Sequence, residues 1–142
     1  TWGGVTIQVS SASSANAVFI GIYDSDSTTG MPTALKGYCE VATTSTGIIT
    51  QTTTLDSSGS SATISLSANT QYWCTVVAKS GSDTFSLSTN KAESLSAIGG
   101  NNVSNIYNCL RNTFSANAID TTNPPRNTQM TSIDFPRVGV IV

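Results

Sequence analysis

Leu66-Ser-Ala-Asn-Thr-Gln-Tyr-Trp-Cys-Thr-Val-Val-Ala78 is a small polar turn running into a segment that is mainly apolar on both alternating faces. Tyr72, Cys74, Val76 and Ala78 fall on one side of an extended chain, Trp73, Thr75 and Val77 on the other. A strand apolar on both sides is normally covered on both sides, which predicts a central strand. Ala17-Val-Phe-Ile-Gly-Ile-Tyr23 has the same character and predicts a second one, with Gly21 marking a bulge or a close backbone approach.

Shorter alternating runs surround these two. Val5, Ile7 and Val9 alternate with polar residues, and Leu35 to Val41 is a further strand. Gly47 to Leu55 is Thr-rich and weakly apolar, which places it nearer an edge. Ala62, Ile64 and Leu66 alternate, Phe85 and Leu87 give Thr84 to Ser88 one apolar face, and Val138, Val140 and Val142 close the chain. Turn signals separate the runs: Asp24 to Pro32, Ser57 to Ser61 around Gly59, and Ser80-Gly81-Ser82-Asp83. The expectation is an all-β chain of about eight strands, an antiparallel β-sandwich with one long irregular segment. That segment, Lys91 to Arg126, is rich in Asn and loses the alternation. Val103, Ile106, Tyr107 and Leu110 lie at the spacing of one helical face, and Asn102 suits a cap, but the Asn content argues against a helix.

The 142 residues fit one domain spanning 1–142. Charged residues make up 10%, well under the globular average of about 25%, and Ser plus Thr roughly a third. The surface is therefore mostly hydroxyl and amide. With a net charge of −2 and no basic cluster, nucleic acid and anionic membrane are poor partners. No apolar run approaches the roughly 20 residues of a membrane-crossing helix. The start at Thr1 suggests a domain processed from, or part of, a longer chain.

Catalytic chemistry finds little support. Without histidine the usual Ser-His-Asp and Cys-His arrangements are excluded. A glycosidase needs two carboxylates about 5–9.5 Å apart, and most of the eight acids stand in predicted turns. Asp24, Asp26 and Thr28 begin like a calcium loop, but Thr29 stands where that loop needs glycine and Leu35 where it needs glutamate. An Asx-turn explains the same residues, so no metal and no cofactor is expected. Three cysteines, Cys39, Cys74 and Cys109, form no C-x-x-C pair. They read as buried thiols, with a Cys39–Cys74 disulfide open if their strands are neighbours.

Phe19-Ile-Gly-Ile-Tyr-Asp24, followed by Gly30-Met-Pro32 and Leu35, then Leu66 through Tyr72-Trp73, and finally Phe135-Pro-Arg-Val-Gly-Val-Ile-Val142, resembles a β-sandwich domain of bacteriophage tail fibres and tailspikes. The resemblance runs from about Ala17 to the end. Asn69-Thr70 departs from it where the family carries glycine, Phe19 where it carries Arg or Leu, and residues 99–128 match none of its motifs. The resemblance implies a jelly-roll-like virion tail domain, usually a homotrimer among other virion subunits, that contacts host cell-surface glycan without catalysis. Purely structural service in the tail or capsid, or a carbohydrate-binding module of a secreted bacterial enzyme, are the alternatives. Loop-borne Tyr107 with Asn101, Asn102 and Asn105 is the candidate glycan contact, an aromatic face beside amides. Mid-strand Tyr72, Trp73, Phe19 and Tyr23 are assigned to the core.

Overall fold

Strand β2 (Ala17–Ser25) is buried at every position from Ala17 to Tyr23 in the computed structural model, which describes residues 1–12, 17–79, 86–87, 89–91, 109–111, 128–130, 134–136 and 138–141. Its burial on both faces follows from its near-continuous apolar sequence. β3 (Pro32–Ala42) pairs along one edge, Val18 opposite Val41 and Ile20 opposite Cys39. β5 (Tyr72–Ala78) pairs along the other, Ile20 opposite Val76 and Tyr23 opposite Trp73, with β4 (Gly47–Gln51) lying between β3 and β5 in sequence. The sheet order β3-β2-β5 makes β2 the middle strand. The tyrosine–tryptophan strand, expected to be central, is the outer strand of this sheet among the described residues, and most of its positions are only half-buried.

A second sheet forms around β1 (Gly4–Ser11), whose Val5, Ile7 and Val9 are buried. β4 pairs along one edge, Ile7 opposite Ile49. The other edge takes β11 (Val138–Ile141) and then β6 (Ser86–Leu87), end to end. The closing strand thus pairs with the opening one, Gly4 opposite Ile141. Two further antiparallel pairs join β7 (Thr89–Lys91) to β10 (Asp134–Pro136) and β8 (Cys109–Arg111) to β9 (Thr128–Met130). The described residues hold eleven strands and no helix, all paired antiparallel. Leu110 lies in β8 rather than on a helical face; Val103, Ile106 and Tyr107 lie outside the described residues.

One cluster of buried side chains draws on both sheets: Val5, Ile7 and Val9 from β1, Val18, Ile20 and Ile22 from β2, Cys39 and Val41 from β3. Trp2 and Ile64 complete it, bridged to each other through their backbones. Trp2 is 1% exposed, and its indole N–H donates to the Gly4 carbonyl at 2.7 Å.

Three expectations change. Gly47–Leu55 is not one strand: β4 ends at Gln51, and Leu55 instead exchanges two 2.8 Å backbone bonds with Tyr38 of β3. Gln51 helps the chain leave β1, because its side-chain amide donates to the Glu40 carbonyl while its oxygen accepts from the Thr53 N–H. Ala62–Leu66 is not a strand either. Ser61 bridges Leu55 and Ile64 bridges Trp2, so the chain changes partner before a ladder can form. Its alternation still reports a face, since Ile64 is in the core and Ala62 and Leu66 pack against it. The bulge expected at Gly21 occurs one residue later and on the partner strand, where Lys36 is the extra residue between Gly37, opposite Ile22, and Leu35, opposite Tyr23.

Cys39 and Cys74 are both free thiols. Their strands are not neighbours, because β2 runs between them, and two strand spacings of about 4.8 Å exceed a disulfide's reach. Cys39 is buried and Cys74 exposed, but desolvation pushes both thiols up to about 11, so they differ in access rather than in acidity. Native protein treated with an alkylating reagent near pH 8 should therefore be modified slowly at Cys74, which is accessible, and spared at Cys39 until denaturant is added. Peptide mass spectrometry reads both sites, and early modification of Cys39 would contradict this core.

Gly37 leaves the room that Ile64 occupies. A methyl group there would stand 2.7 Å from the Ile64 side chain and 2.8 Å from the Leu55 carbonyl oxygen. Gly37→Ala should lower stability by about 1–3 kcal/mol, measured as a shift of the urea midpoint at unchanged slope.

Candidate functional site

Asp26 builds the turn that shapes one end of the β3-β2-β5 sheet. Its Oδ1 accepts from the Thr28 and Thr29 amides at 2.9 and 2.6 Å and from the Thr29 hydroxyl at 2.9 Å. A backbone bond from Gly30 N–H to the Asp26 carbonyl, 2.8 Å, closes it. Gly30 has φ 69°, the left-handed conformation that glycine adopts without steric cost. The turn presents the Gly30 carbonyl to β5. That oxygen accepts from the Trp73 indole N–H at 2.8 Å and from the Gln71 side-chain amide at 3.3 Å.

Trp73 is therefore a half-buried indole on an outer strand, fixed in orientation by its own N–H, with the exposed amide of Gln71 beside it. An aromatic ring held rigidly next to an amide can stack on an apolar surface and hydrogen-bond a hydroxyl, the combination that sugars require. The core assignment of Trp73 holds for only part of its surface. Tyr72 is also half-buried. Its ring packs against the core cluster, its hydroxyl oxygen accepts from the Ser67 amide at 2.8 Å, and Lys36 Nζ lies 5.9 Å from the ring centre. The Ser67 N–H favours the phenolate and lowers the Tyr72 pKa. The turn before this strand contains Asn69 at φ 56°. Asn tolerates this left-handed backbone, as glycine does.

Phe19 and Tyr23 are buried, as expected, at 7% and 1% exposure. They stand opposite Val77 and Trp73 in the ladder with β5 and do not belong to the cluster shared by the two sheets. Phe19 meets Tyr38 edge to face at 5.4 Å, with Lys79 Nζ 5.9 Å from its ring centre and ion-paired to Glu40. The expected glycan contacts Tyr107, Asn101, Asn102 and Asn105 lie outside the described residues.

Each acid whose side chain is described already has a task. Asp24 pairs with Lys36 at 3.4 Å, Glu40 with Lys79, and Asp26 caps its turn. Asp56 repeats the device in the second loop, accepting from the Ser58 amide at 2.8 Å, the Ser58 hydroxyl at 2.6 Å and the Ser60 amide at 3.1 Å. Among the described residues no three of His, Cys, Asp and Glu cluster as metal ligands would. The first capped turn was legible as an Asx-turn, and the second as a turn around Gly59 whose cap, Asp56, was not singled out. The convergence of Gln71 and Trp73 on Gly30, some forty positions away, had no local signal.

No family model, curated protein or solved structure matches the chain.

Hydrogen bonds from Ser58 and Ser60 hold the Asp56 carboxyl below its ordinary value of 3.8. A depressed folded-state pKa adds stability that is present above the unfolded value and lost as pH falls through the folded one. Wild-type stability should therefore decline on acidification below about pH 4, and Asp56→Asn should flatten that decline. Urea midpoints between about pH 2 and 6 measure the difference, and superimposable profiles would remove Asp56 from the account.

Proposed function

We propose that this chain is a non-enzymatic domain of a bacteriophage tail fibre or tailspike that makes shallow contacts with host-surface glycan. In this reading its two main sheets are the layers of a jelly-roll-like β-sandwich, and copies of it assemble as a homotrimer among other virion subunits in the tail. The observation that carries the non-catalytic part is the commitment of Asp24, Asp26, Glu40 and Asp56 to ion pairs and turn caps. What remains for recognition is a hydroxyl- and amide-rich surface. Trp73 and Gln71 on the Gly30 carbonyl, with Tyr107 and Asn101 as sequence candidates, provide aromatic and amide groups for it.

The tail assignment rests on the sequence resemblance, and the core cluster common to β1, β2 and β3 supports the layered reading. Weak sites of this kind act through copy number, since multiplying them raises avidity without new contacts. A purely structural role in the virion is the second reading. Ile48, 75% exposed on outer strand β4, favours it as a surface for other subunits.

A glycan array probed with the protein displayed as multimers separates the two. Under the receptor reading at least one glycan is retained, and Gln71→Ala, Tyr107→Ala or Asn101→Ala each weakens binding about two- to ten-fold, the value of one or two lost hydrogen bonds. No binding at multimeric valency would eliminate the receptor role and leave the structural one.

A further inference from the structure

We propose that β4 is a docking edge for a second copy of this chain, joined through antiparallel β4–β4 pairing about a two-fold axis. The inference goes beyond the glycan reading and does not depend on it. β4 is the outer strand of its sheet among the described residues, and Gly47, Ile48 and Thr50 are exposed. An unpaired strand edge offers a row of backbone donors and acceptors, and proteins usually blunt such edges with lysine, proline or a covering segment. β3 has the covering segment, in the two Leu55–Tyr38 backbone bonds. Among the described residues β4 has none of these devices. No charged residue and no proline occurs from Val41 to Leu55, and Gly47-Ile-Ile-Thr-Gln51 is rich in β-branched residues that favour strands.

That neutrality selects the occupant. A two-fold contact sets a surface against itself, so any charge on it meets its own copy. An edge free of charge escapes this repulsion, while a partner of opposite charge would find nothing to pair with. The five residues of β4 overlap fully only when Ile49 stands opposite Ile49 of the second copy. Ile48 then lies across from Thr50 of the other chain. Ile48 and Thr50 stand opposite Gln8 and Thr6 of β1, with the Thr6 and Thr50 hydroxyls 3.2 Å apart. The pairing would continue this outward row across the join. Ile49, already packed against the core cluster, would meet its counterpart on the inner side.

Sedimentation velocity over a concentration series tests the proposal on the intact chain. The mass of the smallest unit should double as concentration rises, whether that unit is a single chain or a trimer. Ile48→Lys combined with Thr50→Lys places like charges on both sides of the join and should abolish the doubling. Ile48→Glu combined with Thr50→Glu should do the same, and mixing the two double variants should restore it as a one-to-one pair. Both positions are exposed, and an unchanged urea midpoint shows that each variant is folded. A mass independent of concentration, doubling that survives the lysine variant, or failure of the mixture to associate would each overturn the proposal. Loss of glycan binding leaves these readouts untouched, so the two readings fail separately.

Discussion

Strand β2 is hydrogen-bonded along both edges and buried on both faces, and this double demand organises the neighbouring chain. Val18, Ile20 and Ile22 need an apolar partner on one side, and β1, Trp2 and Ile64 supply it. Each such side chain gains about 1.5–3 kcal/mol on burial. Phe19 and Tyr23 are buried on the opposite face. The cross-sheet placement of Ile64, which bridges Trp2, explains why a side chain at Gly37 would be crowded.

A chain with 10% charged residues must find polar order elsewhere. It does so with carboxylates that cap turns and hydroxyls that donate to them. Asp26 and Asp56 each collect amide and hydroxyl donors from residues within four positions. The described ion pairs are partly exposed, so they orient side chains more than they stabilise the fold. In both turns these donors converge on a single oxygen, Oδ1, so each carboxylate acts as a local cap.

Local patterns were the most readable part of this sequence. The alternation in Val5 to Val9 and Val138 to Ile141, and the apolar run of Ala17 to Tyr23, each correspond to a strand, because period-two burial is a property of the segment itself. Partner choice was not readable. Tyr72 to Ala78 resembles Ala17 to Tyr23 in composition yet, among the described residues, lies at the outside of its sheet, since edge or centre depends on which segments arrive beside it. Ala62 to Leu66 shows the same limit, having the right inward residues but no continuous neighbour. The Trp73–Gln71 arrangement depends on a carbonyl contributed by a distant turn, and only tertiary structure brings it there.

The pairing of β1 with β11 has a mechanical corollary. Gly4 and Ile141 are partners at the same end of an antiparallel ladder, so tension drawn between the two chain ends would peel that ladder open one rung at a time. Strands loaded lengthwise resist as a group, but strands loaded this way yield in succession. Under stretching the β1–β11 seam would give way first, while the β3-β2-β5 sheet, which neither end enters, would keep its shape.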